Sequence, residues 1–410
     1  MQCGLLGEHL THSFSPIIHA DLGDYPYALF EVSKNKLETF LKETPFSGIN
    51  VTIPYKKAVI PYCAQLSPIA KKLGSVNTII RDKDGQLIGH NTDYFGFRSM
   101  VDKSGLQVAE KKVLVLGSGG ASVAVCAVLE ELRANVVTIS RSGPNNYQNL
   151  HLQKDAAVIV NATPVGMFPN VGCTPIDLSF FPQLEGVLDL IYNPARTQLL
   201  LEAEEKGLVT ENGLWMLVAQ AKESAEWFTG NSLPDDLITS IYSKLRNATE
   251  NLILVGMPGS GKTTIGQLLA QKTGKKFIDV DRFIEEKHAI SIPEIFRLYG
   301  EVAFREMESE AIAELGQQSG LVLATGGGCV TVESNYRPLH QNGIIIWLQR
   351  DLEKLPTEGR PLSHRGTLEA MYQIRKPLYE RFADIQIDNN QDANSTVAQI
   401  LQTTKDGVLI

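Results

Sequence analysis

Residues 255–266 read VGMPGSGKTTIG, a glycine-rich loop between the apolar run NLILV (251–255) and the amphipathic run TTIGQLLAQK (263–272). Gly256, Gly261, Lys262 and Thr263 satisfy the spacing GxxxxGK[ST], and the flanking strand and helix are the context in which that spacing binds phosphate. Amides of Gly259, Ser260, Gly261 and Thr264, bare at the loop and helix start, would cradle phosphate oxygens. Lys262 would reach the β- and γ-phosphates, and the Thr263 hydroxyl would ligate Mg²⁺. The loop therefore predicts a parallel α/β domain that binds Mg-ATP. It lies in the second half of the chain, so the first half needs its own account.

That first half carries a second glycine turn of a different kind. KVLVLGSGGASVAVCAVLEELRANVVTISRS (112–142) reads strand, turn, helix, strand. Gly117, Gly119, Gly120 and Ala121 form a variant of the dinucleotide fingerprint, and the second strand follows at the required distance. In a site for NAD that strand ends in Asp or Glu, which binds the ribose 2′-hydroxyl. Here it ends Ser140-Arg141-Ser142, and an Arg at that place pairs with a 2′-phosphate, so the expected cofactor is NADPH. An exposed Arg after a strand is also common without any ligand.

Further out, β-branched runs such as AAVIVNAT, GVLDLIY, LVLATGG and GIIIWLQ alternate with helical patterns, which indicates βαβ units and parallel sheets. The 410 residues suggest two to four domains, and 43% hydrophobic with 20% charged residues is ordinary for a globular chain. The expected layout is a substrate lobe (1–98, with helices 216–245 returning to it) and a nucleotide lobe (99–215). A polar linker RNATEN (246–251) and the phosphate-loop domain (252–410) complete it. The span from Ala20 to Phe46 looks compact. A net charge of −8 without a long basic run argues against a nucleic-acid partner, while local Arg residues still permit small anionic substrates. Five scattered cysteines, none in CxxC spacing, fit a reducing compartment. The start MQCGLLGEHL lacks the features of a signal peptide, and no apolar run approaches the roughly 18 residues of a membrane helix. The expectation is a cytoplasmic protein with small-molecule partners; the sequence does not choose between monomer and homodimer.

Several residues in the second half suggest what is phosphorylated. FIDVD ends in Asp279 and Asp281, which strand alternation would put on one face, although such a pair also serves as a helix cap. FREME supplies Arg305, LATGGGCV supplies Gly326, Gly327 and Gly328, GRPL supplies Arg360 and RKPLYERF supplies Arg375. Each is weak evidence alone. Together, and in this order, they resemble shikimate kinase over residues 251 to 404. The resemblance implies that Asp281 is the base at the substrate hydroxyl and that Asp279 joins Thr263 in supporting Mg²⁺. Arg305 and Arg375 would clamp the substrate carboxylate, and Gly327 and Gly328 would line its pocket. Lys262 and the lid Arg360 would neutralise charge on the transferred group. The lid segment RDLEKLPTE (350–358) looks short, and it has no match to the Arg that packs on adenine in some members.

The first half holds HSFSP with Ser13 and Ser15, and GINVTIPYKK with Thr52 and Lys56. LGSVNTII follows with Asn77, GHNTDYFGF with Asp93, DLIYNP with Tyr192 and MLVAQ with Gln220. A lysine ammonium held by a carboxylate can protonate the alkoxide left by hydride delivery, so Lys56 with Asp93 is a plausible pair. NVTxPxK, NTDxxG, the glycine turn, NATPVGM and MLVAQ together resemble shikimate dehydrogenase over residues 3 to 245. The resemblance implies that Ser13, Ser15 and Tyr192 hold the substrate carboxylate. Thr52, Asn77, Asp93 and Gln220 would bind its hydroxyls, and Lys56 would be the acid/base residue, oriented by Asp93. The glycine turn, Ser140, Arg141 and Gly213 would bind the cofactor, with NATP (161–164) near the nicotinamide. Lys57 receives no role.

The two resemblances imply consecutive reactions: reduction of 3-dehydroshikimate, then phosphorylation of shikimate. The alternatives are a quinate-reactive dehydrogenase fused to another small-molecule kinase, and a chain with one inactive, regulatory half. A carboxylate clamp at Arg305 and Arg375 argues against a neutral sugar substrate.

Overall fold

The computed structural model describes residues 2–10, 13–355 and 365–405. Arg360 lies outside them. Among the described residues the strands form three separate sheets, and each glycine loop follows the first strand of one of the two all-parallel sheets.

The first sheet contains β1 (Cys3–Gly7), β2 (Tyr27–Glu31), β3 (Gly48–Val51), β4 (Gln65–Leu66), β5 (Thr78–Arg81) and β6 (Leu87–His90). Its order is β2-β1-β3-β5-β6-β4, with β5 antiparallel to both neighbours and the other pairs parallel. The second contains β7 (Lys112–Leu116), β8 (Asn135–Ile139), β9 (Val158–Asn161), β10 (Gly186–Asp189) and β11 (Val209–Asn212), ordered β11-β10-β9-β7-β8 and wholly parallel. The third contains β12 (Asn251–Val255), β13 (Lys276–Asp279), β14 (Leu321–Ala324), β15 (Gly343–Gln349) and β16 (Ile385–Asp388), ordered β13-β14-β12-β15-β16 and also parallel.

The parallel sheets are covered on both faces, and strand alternation explains how. Val113, Val115, Val158 and Val160 enter one core, while Leu114, Leu116 and Ile159 enter another. In the third sheet Ile253, Val255, Leu323, Ile345 and Trp347 face one core and Leu252, Leu254, Val322, Ile344 and Ile346 the other. Near-continuous apolar strands are what burial of both faces requires. In both sheets the first strand sits inside the order, so its outgoing loop falls at the crevice where ligands of open α/β sheets bind.

The chain divides into two compact units, Met1–Asn193 with Thr197–Lys244, and Pro194–Arg196 with Leu245–Ile410. Two expected boundaries differ from the structure. RNATEN is not a loop: helix Asp236–Thr249 runs through most of it and β12 starts at Asn251. Ile238, Ile241 and Leu245 form a buried stripe at helical spacing, so the polar residues that read as linker are the other face of an amphipathic helix. The border at 98/99 falls inside helix Asp93–Ser104, which packs along helix Leu214–Thr229. Helix Leu214–Thr229 also reaches the first sheet, where its Ser224 hydroxyl accepts a hydrogen bond from Asn50 at 2.7 Å. No helix among the described residues is long and apolar enough to cross a membrane.

Candidate active sites

In the first unit, β3 ends in the turn that carries Thr52 and Lys56, and β6 ends just before Asp93. Lys56 Nζ donates to Asp93 Oδ2 at 2.7 Å, with the lysine side chain 17% and the aspartate 3% exposed. Asp93 is the first residue of its helix, where the unpaired amides favour negative charge. The dinucleotide turn comes to this pair: a Cβ on Gly120 would lie 3.8 Å from Lys56 Cδ. Helix Gly120–Glu131 starts there with Gly119 as its cap. Open space beside Gly119 and free amides at the helix start suit a pyrophosphate, so these residues fit a dinucleotide.

The other expected substrate residues are neutral polar groups, and their contacts fall into two sets, one at Asn77 and Gln220 and one at Ser13, Ser15 and Tyr192. Asn77 donates to Thr92 Oγ1 at 3.0 Å and to Gln220 Oε1 at 3.2 Å, which joins two of the expected hydroxyl-binding residues. The Ser15 amide donates to Ser13 Oγ at 3.2 Å, which fixes residues 13–15 at the start of helix Ser15–Leu22. Tyr192 comes to the same residues through Phe14, ring centroids 5.6 Å apart, and burial pushes its hydroxyl pKa up, so it stays a neutral donor. Thr52 is half-buried beside Gly7, its amide bonded to Leu6 O at 2.9 Å.

Ser140 and Arg141 follow β8, as the pattern predicted. Arg141 is exposed, and no described residue pairs with it, which leaves a cation for an incoming anion. Gly213 caps helix Leu214–Thr229, and a Cβ there would sit 2.0 Å from Leu190 O. Glycine is thus required by backbone packing, whatever its part in cofactor binding.

One important residue went unread in DLIYNP. Asp189 is fully buried and accepts from Asn161 Nδ2 at 3.0 Å, Thr197 Oγ1 at 2.7 Å and the Ile191 amide at 3.0 Å. Asn161 Oδ1 in turn accepts from the amide and hydroxyl of Thr163, and Thr163 lies against Gly117. NATP and the tyrosine loop are therefore tied through one carboxylate. Burial pushes its pKa up to about 6, against the lowering effect of those three bonds. Its presence three residues before Tyr192 was the available signal.

In the second unit, the loop after β12 bends through positive φ at Gly256, Gly259 and Gly261, and helix Lys262–Thr273 starts from it. Lys262 Nζ folds onto the carbonyls of Gly256 (2.9 Å) and Met257 (3.1 Å), a resting place for an ammonium that awaits phosphate oxygens. Ser260 Oγ is buried with no hydrogen-bond partner, an orphan that a bound anion would satisfy. Thr263 Oγ1 donates to Asp279 Oδ2 at 2.9 Å, while Thr264 is exposed on the next position. Two hard oxygens at the end of a phosphate loop fit Mg²⁺, which takes few protein ligands.

The expectation that Asp279 and Asp281 share a strand face is corrected. The strand stops at Asp279, which caps helix Val280–His288 by accepting from the Arg282 amide; Asp281 sits in the first helical turn. The two carboxylates still meet one site because the turn redirects the second. Asp281 Oδ1 is buried without a partner. Burial, then the Asp279 charge, pushes its pKa up, while Lys262 and Arg305 pull it down.

The triple glycine turn gathers the rest. A Cβ on Gly326 would lie 2.4 Å from Glu308 Oε1 and 2.9 Å from Asp281 Oδ1, and one on Gly328 would lie 2.2 Å from the Arg305 guanidinium. Gly327 O accepts from Arg375 at 3.1 Å and from the Tyr379 hydroxyl at 2.5 Å, and Pro258 of the phosphate loop packs on Gly327. Asp281, Arg305, Arg375 and the phosphate loop thus converge. Glu308 was missed. It is 0% exposed and accepts from Arg305 at 2.6 Å, and its place three residues after Arg305 on one helix was the readable sign.

Comparison with known proteins finds relatives for both units. Residues 258–405 match the family model for shikimate kinase, and residues 5–79 match that for the shikimate dehydrogenase substrate binding domain. The shikimate dehydrogenase (NADP(+)) of Clostridium perfringens is 34% identical over 265 residues, covering 59% of this chain and 97% of that protein. The structure of shikimate 5-dehydrogenase from Thermus thermophilus, in complex with NADP(H) and shikimate, matches with a TM-score of 0.55 at 30% identity. That match covers 60% of this chain and 99% of that one. Quinate dehydrogenase from Corynebacterium glutamicum, in complex with NAD, also has a TM-score of 0.55, at 28% identity over 60% and 98% of the two chains. The chain therefore belongs to the shikimate dehydrogenase family through its first unit and carries a shikimate kinase domain in its second.

Proposed function

We infer that the chain is a bifunctional, cytoplasmic enzyme of the shikimate pathway. The first unit reduces 3-dehydroshikimate to shikimate, and the second phosphorylates shikimate on its 3-hydroxyl. The observation that carries the reading is that each nucleotide turn stands beside one poised proton-transfer group, Lys56 near Gly120 and Asp281 near the loop of Lys262.

NADPH supplies the hydride in the first unit and Mg-ATP the phosphoryl group in the second. The chain's own residues do the following. Lys56 holds a proton at Nζ for the carbonyl oxygen of the substrate, and Asp93 holds that ammonium in place through its 2.7 Å contact. Ser13, Ser15 and Tyr192 offer neutral donors to the carboxylate, while Thr52, Asn77, Asp93 and Gln220 read the hydroxyls. A site built to bond hydroxyls rejects analogues that lack them, because its buried partners would be left unpaired. In the second unit Asp281 takes the proton of the attacking hydroxyl. Arg305, set by Glu308, and Arg375 hold the carboxylate in planar forks. Lys262 meets the developing charge on the phosphoryl oxygens.

A single-pot assay with 3-dehydroshikimate, NADPH and Mg-ATP tests the whole reading, with products identified by mass. Shikimate 3-phosphate is expected. Accumulation of unphosphorylated shikimate would refute the kinase assignment, and an untouched ketone would refute the dehydrogenase assignment.

Cofactor choice rests on Arg141. Arg141→Gln is expected to raise the KM for NADPH about tenfold, the value of one charge-assisted hydrogen bond, and to leave the KM for NADH unchanged. Equal changes for both would remove Arg141 from the 2′-phosphate site.

A further inference from the structure

We propose that Arg350 binds the phosphate chain of the nucleotide in the second unit, as an additional cation of that site. The inference rests on the kinase reading above and adds a residue to its nucleotide pocket.

Arg350 is the first residue after β15. In the β12–β15 register Val255 pairs with Trp347, so the chain beyond Trp347 runs beside the phosphate loop, and a Cβ on Gly256 would lie 2.6 Å from Leu348 O. On the other side Gln349 pairs with Asp388, which sets Arg350 level with Asn389. Both side chains converge on the last glycine of the loop: a Cβ on Gly261 would lie 2.8 Å from Asn389 Nδ2 and 3.7 Å from an Arg350 guanidinium nitrogen. Asn389 has a structural task there, donating to Ser260 O at 2.6 Å. Arg350 has none. Its Nε is buried with no hydrogen-bond partner, and no described residue forms an ion pair with it. The carboxylate that follows in sequence is already taken, since Asp351 pairs with Lys354 at 3.0 Å and accepts from Asn390.

A half-buried guanidinium without an anion is costly to keep, because its N–H groups lose water and gain nothing. This one stands at the carboxyl ends of three parallel strands, beside amides arranged for phosphate, in the crevice where such sheets bind ligands. A phosphate oxygen is the acceptor that satisfies it. Arginine suits the task because its planar fork meets phosphate with two parallel bonds.

The test is calorimetric binding of Mg-ADP to the full chain, with NADP⁺ present to fill the dehydrogenase site. Arg350→Gln is expected to raise the Kd about tenfold, and Arg350→Lys, which keeps the charge, to recover most of that loss. The KM for shikimate in the kinase reaction should stay unchanged in both. A Kd for Arg350→Gln within about twofold of the parent overturns the inference. So does a lysine variant as weak as the glutamine one, because charge would then not be what acts. A parent chain that binds no ADP overturns this inference and the kinase reading together. In a parent that binds ADP and makes product, a failure of the Arg350 variants to weaken binding overturns the role of Arg350 alone.

Discussion

Lys56→Met is expected to lower kcat for 3-dehydroshikimate reduction by about a thousandfold, within the range that a positioned general acid contributes. The loss should fall on kcat more than on KM, because the Ser, Thr, Asn and Gln donors proposed to orient the substrate are untouched. NADPH oxidation measures it directly. The substitution also strands Asp93, which is 3% exposed and has Lys56 as its ion-pair partner. A buried carboxylate without its cation destabilises the fold, so the thermal midpoint of the first unit should drop as well. The two effects can be separated. Adding Asp93→Asn to Lys56→Met should restore part of the thermal midpoint and none of the rate. A double variant that regains activity, or a single variant that loses less than about tenfold, would exclude Lys56 as the acid. Kinase turnover by the same sample is expected to be unchanged.

Asp281→Asn should have the matching effect on the other reaction, a fall in kinase kcat of about a hundredfold to ten-thousandfold with the dehydrogenase intact. Its Oδ1 is buried beside Gly326 with no partner of its own, so the variant changes charge with little change in packing. The parent enzyme offers a pH test of the same group. A base must be ionised, and burial with the nearby Asp279 raises the Asp281 pKa. The acid limb of the kinase profile should therefore lie above the usual aspartate value of about 3.9, and activity should fall as pH drops through it. A profile with its acid limb at or below that value would assign the limb to another group.

Much of this was readable along the chain. The two glycine loops are local signals, each complete within about a dozen residues and confirmed by its flanking strand and helix. Apolar strands and amphipathic helices announce parallel sheets in the same way. Where the reading slipped, a local pattern had two physical solutions. RNATEN is polar whether it is a loop or the wet face of a helix, and only the packing of Ile238, Ile241 and Leu245 decides which. FIDVD continues as a strand by propensity, yet Asp279 found a better bond as a cap and ended it.

Residue order alone marked the two glycine turns, the apolar strands of the parallel sheets and the residue types of the two proposed sites, because backbone geometry and burial impose short periods that any one segment displays. Folding decided which of those residues meet. The tie from Asp189 through Asn161 to Thr163, the crowding of Asp281 and Glu308 at Gly326, and the approach of Arg350 to Gly261 each join positions brought together by strand order and register rather than by sequence spacing. A side chain's chemistry is written in its own codon, but its pKa, its partners and its freedom to bind depend on neighbours supplied by distant strands, and those exist only once the sheets have formed.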